Sequence, residues 1–151
     1  MSLGDDILRE PNDETLQLWL KKIPYAGFLG IRAEVRGGDI LFILPEDDKL
    51  VGNPSLPALH GGVVGGFMEQ AAAIHLIAKM DKPVVPKIIN FSLDYLRASR
   101  KQETYAQCTL TRQGRLVANV SVTAWQEDRK APNATARAHF LIPESEQTGE
   151  Q

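Results

Sequence analysis

Residues 59–71 read Leu-His-Gly-Gly-Val-Val-Gly-Gly-Phe-Met-Glu-Gln-Ala and hold the groups best suited to chemistry in this chain. Gly61, Gly62, Gly65 and Gly66 open a helical pattern, although a glycine inside a helix costs up to about 1 kcal/mol relative to alanine. Glu69 follows Gly62 by seven residues, about 700° of helical rotation, so both point to nearly the same side. Gly65 and Gly66 stand one turn before Glu69, beneath a side chain that leans toward the helix N-terminus. A helix start offers free N–H groups and the positive end of the helix dipole, which hold a developing negative charge. The outline is that of an acyl-transfer site, with an oxyanion holder, a carboxylate base or nucleophile, and bare backbone leaving room for a substrate. The same residues have a plainer use. Glycines at a helix start let the helix lie close to a sheet or another helix, and a single glutamate also serves as an exposed residue or an ion-pair partner.

These residues need a frame. The span 61–79 is the one long helical candidate, and it is apolar nearly all round, with Val63, Val64, Phe67, Met68, residues 71–74, Leu76 and Ile77. Such a helix is wrapped by other structure. Ahead of it, Asn12 and Asp13 can cap a short helix in which Leu16, Trp19, Leu20 and Ile23 repeat at helical spacing. Residues 31–36 and 39–44 form a hairpin through Gly37-Gly38. The stretch 46–59, with Pro54, Pro57, three acids and a Gly-Asn, reads as a loop. After Pro83 and Pro86 the apolar period changes to two. Ile89, Phe91, Leu93 and Tyr95 alternate with polar residues, as do residues 116–124 and 134–140. Gln113-Gly114 and 128–133 are turns. Two strands, a buried helix and a run of strands make an α+β protein with an antiparallel sheet.

Composition bounds the function. The 151 residues suit a single domain, 1–151, with polar ends at 1–10 and 143–151 that are expected to fray. Seventeen basic against 19 acidic residues leave a net charge of −2, which offers no general attraction to nucleic acid or to an anionic membrane. The longest apolar run, 40–44, is far below the roughly 20 residues a membrane helix needs. Met-Ser-Leu-Gly-Asp-Asp has no basic or apolar leader. A single cysteine, Cys108, excludes a disulfide framework and a cysteine-rich zinc site, and no metal-ligand spacing occurs elsewhere. The expectation is a reduced, cytoplasmic protein without metal. His75 falls on another helix face than Glu69 and reads as structural, and nothing near Cys108 would activate it. Arg97, Arg100 and Lys101 form a small basic cluster that suits phosphates or is simply solvated surface.

His60-Gly61-Gly62, with an acid seven positions after the second glycine, resembles the hotdog-fold acyl-CoA thioesterases, and most closely the phenylacetate-degradation-type branch. The resemblance extends through Asn53, residues 95–98 (Tyr-Leu-Arg-Ala), 112–115 (Arg-Gln-Gly-Arg) and 134–137 (Ala-Thr-Ala-Arg), and covers a core of about 26–142. It implies a curved antiparallel sheet wrapped around one long helix, and hydrolysis of a small or medium acyl-CoA, possibly aryl, with coenzyme A as part of the substrate and no separate cofactor. Glu69 takes the place of the acid that activates water or attacks the thioester. Gly62 supplies the backbone N–H to the carbonyl, Asn53 matches a positioning loop amide, and His60 matches a histidine that shapes the loop. Tyr95, Arg97, Arg112 and Gly114 match segments lining the coenzyme A channel, and the Arg97, Arg100 and Lys101 cluster suits its phosphates. Some relatives place a Ser or Thr at the start of the following strand to orient water, whereas Ile88 stands there. The resembling family is built of homodimers, often as dimers of dimers, and Gly62 and Glu69, about 10 Å apart along one helix, are expected to serve one site from different chains. A hotdog dehydratase or hydratase acting on an acyl thioester and a non-catalytic acyl-CoA-binding module are the competing readings. The acyl group is not legible.

Overall fold

A computed structural model describes residues 11–80 and 84–144; Pro83 and most of the two polar ends lie outside them. Helix α1 (Asp13–Lys22) starts at the expected cap, where Asn12 Oδ1 accepts the Thr15 N–H and the Thr15 hydroxyl oxygen accepts the Asn12 N–H. Its apolar stripe buries Leu16, Trp19 and Leu20. A second short helix, α2 (Pro24–Leu29), was not expected. Pro24 opens it and Gly30 ends it in the left-handed conformation, at φ 72°. Strands β1 (Arg32–Arg36) and β2 (Asp39–Leu44) pair as a hairpin, with Gly37 and Gly38 both at positive φ, as a two-residue turn requires.

The segment expected to be a loop carries a 3-10 turn (Asp48–Leu50) and a small two-stranded sheet, β3 (Val51–Asn53) with β4 (Ala58–Leu59). The long helix α3 (Gly61–Lys79) has the expected bounds. Strands β5 (Lys87–Tyr95), β6 (Thr104–Gln113), β7 (Val117–Trp125) and β8 (Ala134–Leu141) follow. All pairings are antiparallel, and the main sheet runs β1-β2-β6-β7-β8-β5, with β5 at an edge.

α3 lies against β2, β5, β6, β7 and β8. Alanines make this approach close. Ala106, Ala124 and Ala134 stand in one row across three strands, and Ala118, Ala136 and Ala138 share their buried face. Phe42, Phe140, Val120 and Val122 fill the remainder against Phe67, Met68, Ile74 and Leu76 of the helix. Edge strand β5 departs from simple alternation. A bulge between Ile88 and Asn90 leaves Ile89 as the extra residue, more than half exposed. The expected antiparallel α+β architecture around one helix is what the chain forms.

Candidate active site

The start of α3 is held by the small sheet. A Cβ at Gly52 of β3 would lie 2.7 Å from His60 Cα, so glycine alone lets β3 press on the helix start. His60 is the N-cap residue, and its Nδ1 accepts the Gly62 N–H at 2.8 Å. An accepting Nδ1 on a neutral ring leaves the proton on Nε2. The N–H groups of Val63 and Val64 reach the His60 carbonyl, at 2.9 and 3.2 Å. The N–H that the resemblance assigns to the substrate carbonyl is therefore engaged by the imidazole in this structure.

The expectation of open backbone beneath Glu69 is corrected. A Cβ at Gly65 would meet Leu93 Cδ2 at 3.3 Å, and one at Gly61 would meet the Tyr95 hydroxyl at 3.2 Å. At Gly66 it would come within 2.6 Å of the Tyr25 hydroxyl and 2.8 Å of its ring. These glycines seat aromatic and aliphatic side chains from β5 on one side and α2 on the other, which is the close-packing use. Between these two sets of side chains runs a seam containing Gly62, Glu69 and Ala73, which share one helix face, Gly62 exposed and the other two half-buried. Glu69 is half-buried there, and among the described residues no cation or hydrogen-bond donor pairs with its carboxylate.

Around the helix start, the Tyr95 hydroxyl donates to the Gly61 carbonyl at 2.7 Å. Gly61, Val64, Tyr95 and Arg97 line a cavity of about 290 Å³. Arg97 also borders a second cavity, of about 180 Å³, together with Arg100, Gln126 and Asn133. Two buried amides hold the loop that bears these arginines. Gln126 accepts the Arg100 N–H at 3.0 Å and donates to the Arg100 carbonyl at 2.8 Å. The Asn133 side-chain amide donates to the Ala98 carbonyl at 3.1 Å, and the Asn133 backbone carbonyl accepts the Leu96 and Arg97 N–H groups. Neither amide stood out in the sequence, where one ends a strand and the other closes a turn.

The other expected residues are dispersed. Lys101 does not share its neighbours' setting, because it pairs with Asp48 and, at 3.8 Å, with Glu46; the Asp48 hydrogen bond raises its pKa. Asn53 is exposed at the end of β3, one residue from the Gly52–His60 contact, and its Oδ1 accepts the Ser55 N–H at 3.0 Å. Arg112 and Gly114 lie at the opposite end of the sheet. Ala106 stands level with Tyr95 across the strands, and Arg112 follows it by six residues, roughly 20 Å of strand. One chain thus brings together His60, Gly62, Glu69, Tyr95 and Arg97 around α3, with Arg100 in the same loop as Arg97, and leaves Arg112 and Gly114 apart. Cys108 is packed so that burial pushes its thiol pKa up. Among the described residues no group of three ligating side chains could hold a metal ion, and no helix is long and apolar enough to cross a membrane.

Solved structures share this fold. A protein from Chromobacterium violaceum is 44% identical over 88% of this chain and 93% of its own, with a TM-score of 0.71. A thioesterase from Haemophilus influenzae superposes with a TM-score of 0.81 over 95% of this chain and 98% of its own, at 19% identity. A phenylacetic acid degradation-related protein from Ralstonia eutropha gives 0.72 over 84% and 98%, at 22% identity. At these lower identities the likeness is one of fold, the hotdog fold. No curated protein matches the chain. The thioesterase superfamily model matches residues 56–132, just over half of the sequence, from the loop before α3 to the turn before β8. The long helix, its capping histidine and its lone glutamate all fall inside that span, and the chain belongs to the thioesterase superfamily.

Proposed function

We propose that this protein hydrolyses acyl-CoA thioesters and does so as a homodimer whose two sites are each shared between chains. The observation that carries the reading is the Glu69 carboxylate, unpaired among the described residues, on the open seam of α3 and on the same face as a helix N-terminus. The thioester carbonyl accepts the Gly62 N–H, replacing the His60 imidazole as its acceptor, and the helix start stabilises the oxyanion. Glu69 either takes a proton from water, whose oxygen then attacks the carbonyl carbon, or attacks that carbon itself and is released by water. In the first route the C–S bond breaks and the leaving thiolate takes up the proton held by Glu69. In the second the C–S bond breaks as the Glu69 anhydride forms, the thiolate takes a proton from solvent, and water then cleaves the anhydride to the free acid and the Glu69 carboxylate. Arg97 and Arg100 offer guanidinium groups to the coenzyme A phosphates.

A shared site is supported by β5. It is a nine-residue edge, and Ile88, Ile89 and Tyr95 on it, with Val85 and Leu96 flanking it, are all exposed. Such an edge invites pairing. A two-fold axis perpendicular to the sheet beside β5 would pair two copies antiparallel and run their α3 helices in opposite directions. The partner's Glu69 then approaches this chain's helix start, which one helix cannot arrange for itself across about 10 Å.

The test is release of free thiol from a panel of acyl-CoA substrates, followed by complementation. Glu69→Gln removes the acid and Gly62→Pro removes the N–H. Co-refolded at random, about half the dimers are hybrids, each with one intact site. Activity then returns to roughly a quarter of wild type for independent sites. Folded hybrids that stay inactive reject the shared site. Hydration of a crotonyl thioester without thiol release rejects the hydrolase reading.

A further inference from the structure

The seam of α3 has two walls, and they are built differently. On the β5 side, the Tyr95 ring lies over Gly61 and its hydroxyl reaches Gly65, while Leu93 and Phe91 also lie over Gly65; the Tyr95 hydroxyl is tied to the Gly61 carbonyl at 2.7 Å. On the α2 side the wall is Tyr25, whose ring and hydroxyl occupy the space a Cβ at Gly66 would need. The Tyr25 hydroxyl has no hydrogen-bond partner among the described residues. Tyr25 is 44% exposed, and its ring stacks on Phe28, with centroids 6.4 Å apart and planes 17° from parallel. Phe28 is 56% exposed and carries the Lys49 ammonium 4.9 Å above its ring.

Helical geometry relates this wall to the proposed carboxylate. Gly66 precedes Glu69 by three residues, so the two are neighbours on the helix surface, and the Glu69 side chain leans back toward the Gly65–Gly66 turn. A group bound beside Glu69 therefore has the Tyr25 ring on one flank. The β5 wall is fixed by a hydrogen bond to backbone, whereas the Tyr25 wall is fixed by shape alone: ring against glycine, ring against ring. α2 itself is anchored, because Ala26 and Leu29 are fully buried and Gly30 caps it. Tyr25 is thus a firm but replaceable boundary.

We propose that Tyr25 limits the size of the acyl group this site accepts, closing the seam at Gly66 so that short acyl groups fit beside Glu69 and long ones do not. The proposal rests on the thioesterase reading and goes beyond it by assigning the substrate class and the residue that selects it. The ring does the selecting, not the hydroxyl. An aromatic ring at this position excludes a chain by volume, and loss of the ring opens space along the helix where Gly66 has no side chain to refill it.

Hydrolysis of butyryl-CoA and decanoyl-CoA by wild type, Tyr25→Phe and Tyr25→Ala tests this, with thermal melts to show that each variant is folded. Wild type should prefer butyryl-CoA. Tyr25→Phe should keep that preference within about threefold, and Tyr25→Ala should raise kcat/KM for decanoyl relative to butyryl by at least about tenfold, mainly through a lower KM for the long chain. If Tyr25→Ala does not fold, Tyr25→Val trims the ring while keeping an apolar filler and should move the ratio in the same direction. An unchanged ratio in an active, folded Tyr25→Ala or Tyr25→Val overturns the proposal while leaving the thioesterase reading in place. So does a Tyr25→Phe that shifts the ratio as far as alanine. A wild-type protein that releases thiol from neither substrate, nor from the wider panel, overturns the thioesterase reading and this proposal with it.

Discussion

Along α3, residues 61–70 leave Gly61, Gly62, Val63, Gly65, Gly66, Glu69 and Gln70 open or half-open, whereas residues 71–79 bury all but Ala73, Ala78 and Lys79. The same helix therefore offers two environments to its ionisable groups. Glu69 sits on the open seam with no partner among the described residues. His75, six residues on, is buried with its Nδ1 unpartnered, and burial pushes its pKa down to about 4, the Lys79 ammonium adding to the effect and Asp39 opposing it. The contrast separates two kinds of polar residue on an apolar helix: one left half-open to solvent and one held neutral by the core.

Substitution in each half should therefore fail in a different way. Glu69→Gln is expected to lower kcat by 10²–10⁴-fold, roughly 3–5 kcal/mol in the barrier, with an unchanged melting temperature. Phe67→Ala, two positions away and fully buried, should instead cost about 3–5 kcal/mol of stability. Steady-state kinetics paired with urea unfolding reads both, and a Glu69→Gln enzyme with near-normal kcat would remove this residue from the chemistry.

Acid sharpens the contrast in the buried half. His75 is neutral in the fold down to about pH 4 but takes a proton in the unfolded chain below its ordinary 6.5. The unfolded state therefore binds the extra proton, and stability falls as pH drops from about 6.5, with the loss complete near pH 4. Between pH 7 and pH 5 this group alone should remove about 2 kcal/mol. Urea titrations at the two pH values should show that loss in wild type and not in His75→Gln. Equal losses in both would place the acid sensitivity elsewhere.

A smaller effect concerns the loop beside the open half. Replacing Arg97 and Arg100 together with alanine should raise KM for acyl-CoA about five- to twentyfold with little change in kcat, since remote phosphates bind substrate and transition state alike. The effect should fade in high salt. Lys101→Ala should do much less, because its charge is already spent on Asp48 and Glu46. The smallest effect is expected at the cap. His60→Ala removes the acceptor for the Gly62 N–H and should lower stability by about 1 kcal/mol, while kcat stays within an order of magnitude because that N–H becomes free. A loss of a hundredfold or more would show that the imidazole itself contacts the substrate.

The bounds of α3 were legible because an all-round apolar run flanked by a glycine-rich start and a change of period has few other readings. The hairpin at Gly37-Gly38 was legible for the same local reason. β3, β4 and α2 were not, since pieces of three, two and six residues have no periodicity and form through tertiary contact, as in Gly52 against His60 and Tyr25 against Gly66. In the site, spacing placed Gly62 and Glu69 on one face, but it could not show that the glycines between them were filled. That depends on which side chains arrive from β5 and α2. Gln126 and Asn133 escaped notice because a lone amide at a strand end looks like any surface residue until the carbonyls it meets are known.

Those two amides bear on how quickly and tightly an anion is met. The loop 96–102 is pinned in advance by these side chains, through hydrogen bonds to the backbone at Ala98 and Arg100, and by the Asn133 backbone carbonyl, which accepts the Leu96 and Arg97 N–H groups. Ordering a free backbone forfeits about 1–2 kcal/mol per residue, so a loop that took shape only around its ligand would lose several kcal/mol of affinity. Here the disorder was surrendered during folding. The guanidinium-bearing loop presents a ready-made spacing, and for a coenzyme A substrate as proposed above, encounter with its phosphates would be governed by diffusion and charge instead of a search through loop conformations.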